Sequence, residues 1–94
     1  MYFIMSAMKI SVWDTYVARE DGKTMHFDIL VPHNLKDKNI IFDYGREFLS
    51  TKPFKTNGLS TKACTYCHME MASDTISEAI NRMGYFILEM ENCE

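Results

Sequence analysis

Two neighbouring stretches near the start of the chain alternate between apolar and polar positions. In residues 8–18 (MKISVWDTYVA), Met8, Ile10 and Val12 alternate with polar or mixed residues, and β-branched and aromatic side chains dominate. This pattern predicts a strand. Residues 19–22 (REDG) form a tight turn punctuated by Asp21-Gly22. In residues 23–31 (KTMHFDILV), Met25, Phe27, Ile29 and Val31 share one face, with His26 and Asp28 on the other. Pro32 ends this second strand because it cannot donate to a ladder. The first third of the chain is therefore a β-hairpin.

The period then changes. Asn34 or Asp37 can cap a helix in which Ile41, Tyr44, Phe48 and Leu49 recur at helical spacing as far as Ser50. Gly45 inside it allows a close approach to the sheet. Residues 51–61, with Pro53 and Asn57-Gly58, read as a loop. A weaker strand follows over residues 66–72, and Ser73 caps a second helix carrying Ile76, Ala79, Ile80 and Met83. Gly84 is expected to end that helix in the left-handed conformation. Residues 85–90 (YFILEM) make the last strand, before a short acidic tail with Cys93. The expected fold is a single two-layer α+β domain in the order ββαβαβ, a mixed four-stranded sheet with two helices.

Ninety-four residues suffice for one domain with one core. Residues 1–7 fall outside the strand pattern, and methionines at positions 1, 5 and 8 suggest an N-terminal extension before a domain at 8–94. A domain starting at Met8 is expected to keep the stability of the full chain. The net charge of −3, without a basic patch, removes the electrostatic source for nucleic-acid binding. The apolar runs are far shorter than the ~20 residues that cross a bilayer. With no export signal, a cytoplasmic setting is expected, in which the three cysteines stay reduced. A homodimer through an exposed edge strand is the one association the pattern suggests; any other partner is unspecified.

The densest chemistry lies in CTYCH, Cys64 to His68. CxxCH is the spelling of haem attachment, but here it enters a strand rather than opening a helix, and export is not indicated, so haem is disfavoured. Zinc fits better: Cys64 and Cys67 supply two thiolates, with one or both of His68 and His26 as further ligands. His26 is placed there by the expectation that each strand–helix–strand connection returns the chain parallel. Cys93 would then fall at the far end of the sheet, and would join the cluster only if the last strand were antiparallel. Thiol redox chemistry is the rival reading, although a reactive CxxC usually opens a helix. Free cysteines are also often no more than buried core residues. Asp14, Asp28, Glu70 and Glu89 read as solvent-face charges unless strand order brings two of them together, and His33 reads as a solvated loop residue.

Several segments together resemble a small uncharacterised bacterial family, domain-of-unknown-function family two-zero-two-four. They are VWDTYV (12–17), the glycine turn, MHFDILVP (25–32), Tyr44-Gly45, CTYCH (64–68) and GYFILEME (84–91) before Cys93. The resemblance implies a compact α+β fold in a bacterial cytosol and implies no activity. Taken together, the residues favour a non-enzymatic binding or accessory module with a zinc site at CxxCH. The alternative is a thiol-dependent redox enzyme using Cys64 and Cys67.

Overall fold

The computed structural model describes residues 8–59 and 64–94. The expected extension, residues 1–7, lies outside the described residues. The chain folds as β1 (Lys9–Ala18), β2 (Thr24–Pro32), α1 (Lys38–Ser50), β3 (Cys64–Met71), α2 (Asp74–Met83) and β4 (Phe86–Glu91). The ββαβαβ order is thus the one the pattern predicts. The strands form one sheet in the order β3-β1-β2-β4.

The REDG turn closes the central hairpin. Asp21 Oδ1 accepts from Lys23 N at 3.1 Å, and Gly22 takes φ +92°, which a side chain would resist. The turn sets Ala18 opposite Thr24, and this register runs back to Ile10 opposite Pro32. Odd positions Trp13, Val17, Met25, Phe27, Ile29 and Val31 then point to one face, where α1 lays Ile41 and Phe42 on them. Each fully buried Phe27, Ile29 or Val31 contributes about 1.5–3 kcal/mol by leaving water. Even positions Ile10, Val12 and Leu30 point to the other face and meet Ile80 of α2. The helices therefore lie on opposite faces, so the expected two layers are three. The driving force is the same alternation: the central strands are apolar on both sides at that end, and both sides need cover.

The expected mixed sheet is antiparallel at every pairing. β2 and β3 do run in the same direction, as a strand–helix–strand connection should, but β1 stands between them. β4 is antiparallel to β2 and lies at the opposite edge from β3. β3 leaves the sheet beside Lys9, and β4 enters it beside Leu30. Both points are at the same end of the sheet. Ten residues of α2 span ~15 Å, and three strand spacings amount to ~14 Å. The helix is just long enough to bridge the two edges across that end, and the other end of the same face stays open.

The caps agree with the local sequence. Asp37 accepts from Asn39 N at 2.9 Å, and Ser73 accepts from Ile76 N at 3.3 Å. At Gly45 a β-carbon would stand 2.8 Å from Leu59 Cδ2 and 3.1 Å from Ile29 Cδ1, which is the close approach the glycine permits. His33, expected in solvent, is half-buried, with Nδ1 2.9 Å from Ser11 Oγ. Gly84 ends α2 at φ +92°, its N–H donating to Ile80 O at 2.7 Å. A β-carbon there would also lie 2.7 Å from Tyr44 Oη, whose ring stacks on Tyr85 at 4.3 Å. Gly84→Val is expected to lower stability by about 1 kcal/mol or more. Thermal or urea unfolding tests this, and a variant as stable as the parent would refute the left-handed cap.

Candidate functional site

On the open end of the α2 face, the hairpin register sets Asp14 directly opposite Asp28 and Tyr16 opposite His26. Like charges facing each other across strands are unfavourable unless something neutralises them. His26 lies close to both: its Nε2 is 3.2 Å from Asp14 Oδ1 and 3.8 Å from Asp28 Oδ1. The Tyr16 ring stacks on the imidazole at 4.2 Å with 9° between planes, which holds the ring in place. Asp28 is 8% exposed, flanked by Asp14 on β1 and Leu88 on β4. Its Oδ1 is buried with no donor. When both carboxyls are ionised, neither can bond to the other.

The two carboxyls respond in opposite directions. Burial first, then a hydrogen bond with Asp14 and the charge of Asp14, push Asp28 up to about 6. Asp14 is held below the usual carboxylate range, first by the hydrogen bond from Asp28 and then by the one from His26. The pair thus shares one proton at mildly acidic pH and is short of one positive charge above it. The ligand atoms of Asp14, His26 and Asp28 all lie within 4.8 Å of one another.

The expected zinc quartet is not brought together. Cys64 is 3% exposed and belongs to the α1 face, where Thr15 Oγ1 donates to its Sγ at 3.4 Å. Cys67 is exposed, and His68 pairs with Val12, which belongs to the α2 face together with His26 and the two aspartates. Three residues of extended strand separate the Cys64 and Cys67 backbones by ~10 Å. Cysteines that form a disulfide have Cα atoms less than about 7 Å apart. A CxxC pair can share a metal or close a disulfide where the chain turns, and this strand does not turn. All three thiols are also raised above their ordinary value, with burial the leading cause at each, which is the reverse of activation. Cys93 has moved to the His26 end, as antiparallel β4 requires, but on the α1 face, its Sγ 3.5 Å from His26 O.

Asp14 and Asp28, read from sequence as solvent-face charges, are the residues the sequence reasoning missed. The signal was present: with the Asp21-Gly22 turn fixing Ala18 against Thr24, counting back four residues on each arm brings the two aspartates face to face.

An antiparallel α+β domain with a carboxylate–imidazole cluster on the uncovered end of its sheet is the class that fold and site define. The model of the family described as a domain of unknown function, DUF2024, matches residues 8–90, and the chain belongs to that family. It is similar to the NMR structure of protein NE1680 from Nitrosomonas europaea, a structural genomics target, at 36% identity and a TM-score of 0.75. The likeness covers 93% of this chain and all of that one. No curated protein matches the chain. No helix among the described residues is long and apolar enough to cross a membrane.

Because Asp28 binds its proton more tightly folded than its unfolded value of 3.8, the metal-free fold loses stability as pH rises from about 4 through about 6. Asp28→Asn removes the charge and supplies an N–H for Asp14. It is expected to raise stability at pH 8, in the presence of a chelator, by about 1 kcal/mol and to flatten that pH dependence. Denaturant unfolding at pH 5 and pH 8 checks both. A variant less stable than the parent at pH 8 would show that the pair is not strained.

Proposed function

We propose that the protein is a small, non-enzymatic metal-binding module and that Asp14, His26 and Asp28 hold a divalent cation, with zinc the first choice. The observation that carries this reading is the buried Asp28 Oδ1, which lacks a donor and stands in a set of three convergent ligands. A cation there would supply the missing positive charge and accept lone pairs from the carboxylate oxygens that no hydrogen-bond donor meets. One imidazole and two carboxylates suit zinc and neighbouring transition metals. Tyr16, stacked on His26, is the support that fixes the imidazole's orientation.

The setting favours binding over catalysis. Two concavities, of about 380 and 530 Å³, are lined by other residues, and neither includes Asp14, His26 or Asp28. The trio lies instead on a broad sheet face, which gives a bound ion access to a macromolecular partner but does not enclose a small substrate.

Zinc titration of chelator-treated protein, free of any histidine tag, tests the proposal by calorimetry. Stoichiometric binding is expected, and it weakens with acid because the ligands must shed protons. Asp28→Asn and His26→Ala should each lower affinity at least tenfold, whereas Cys64→Ser and Cys93→Ser leave it unchanged. Loss of binding in Cys64→Ser, with His26→Ala and Asp28→Asn still binding, would return the site to the cysteine pair.

A further inference from the structure

β3 does not pair regularly with β1. Tyr66 is opposite Trp13 and His68 is opposite Val12, so Cys67 is the extra residue of a β-bulge. Tyr66 points to the α1 face, where its ring meets Trp13 edge-on at 5.9 Å. In a regular strand Cys67 would point to the other face and His68 back to the first. The bulge instead gives His68 the face of Val12, and its Nδ1 lies 3.3 Å from Cys67 Sγ. Both side chains therefore stand on the face that carries Asp14 and Asp28. The fields of Asp14 and Asp28 reach Cys67, adding to the burial that raises its thiol. Bulges commonly re-aim side chains beside functional sites.

Building on the trio proposed above, we infer that the β3 bulge makes Cys67 a further ligand of the same site, so that the site selects a thiophilic divalent ion over magnesium or calcium. Cys67 is not among the three atoms already within 4.8 Å of one another, so ligation requires its exposed side chain to turn toward them, and no burial holds it in its present rotamer. His68 is less free, because its Nε2 lies 3.1 Å from Glu70 Oε2. A thiolate beside one imidazole and two carboxylates completes a four-ligand set of the kind zinc takes, which magnesium and calcium, oxygen-seeking ions, do not favour. The thiol releases its proton to solvent when the metal–sulfur bond forms, so the metal itself overcomes the raised Cys67 value.

Cobalt(II), a spectroscopic stand-in for zinc, separates this inference from the reading it rests on. The full chain loaded with cobalt should show intense near-ultraviolet thiolate-to-cobalt absorption, absent in Cys67→Ser although that variant still binds cobalt through weaker visible bands. Zinc affinity should fall tenfold or more in Cys67→Ser. Zinc, but not magnesium, should protect Cys67 from alkylation as read by mass spectrometry, a readout that needs no variant to fold. Cobalt binding with identical spectra in the parent and Cys67→Ser would overturn the role of Cys67 and leave the trio standing. Thiolate absorption lost in Cys64→Ser instead would also overturn it, and no cobalt binding at all would overturn both.

Discussion

The register of the β1–β2 hairpin is the constraint on which the rest of the structure depends. Both strands are central, each flanked by an edge strand that pairs with that arm alone. A slip of one residue would turn Phe27, Ile29 and Val31 away from α1 and put His26 and Asp28 in their place. Burying two unpaired polar groups in that core would cost several kcal/mol, besides the apolar burial lost. The tight turn at Asp21-Gly22 and the alternation of the arms both enforce the same register, so local and global preferences agree.

That register also creates a conflict in the sheet. Counting from the turn puts Asp14 against Asp28 as surely as it puts Thr15 against Phe27. Proteins tend to keep such strain where it serves a site. Here the geometry of α2 decides where the strain can sit. Ten residues suffice to cross from the β3 edge to the β4 edge over Ile10, Val12 and Leu30, with no length left to cover the hairpin's other end. The helix that seals the second core therefore stops short of the carboxylate pair, leaving Asp14 half-buried while Asp28 stays buried between its neighbouring strands.

Most of the fold was legible in the sequence because its signals are local. Alternation, the glycine turn, the Ser73 cap and the left-handed Gly84 each depend on a few neighbouring residues, and the structure has all of them where the pattern put them. The sheet order was not legible, because a connecting helix fixes no strand position, and the parallel return expected after each helix fails after α2, where β4 runs antiparallel to β3. β3 obeys the direction expected after α1, yet pairs with β1 rather than β2. Opposite-face helices were missed for a related reason. Ile10 and Val12, read as the apolar side of β1, share a face with Leu30 and with His26 and Asp28, read as the polar side of β2, and only the pairing shows that this face is apolar at one end and charged at the other.

The same distinction explains why CTYCH misled while Asp14 and Asp28 went unnoticed. A motif of consecutive letters suggests shared chemistry, but shared ligation requires side chains on one side of the backbone. An extended strand sends Cys64 into the core beneath α1 and leaves Cys67 outside. The two aspartates are fourteen positions apart, and the hairpin returns them to direct opposition. In a strand protein, functional neighbours are found by pairing register before sequence spacing. The bulge at Cys67 is where the two meet: one extra residue shifts the face of everything after it, so His68 joins the aspartates while its motif partner Cys64 does not.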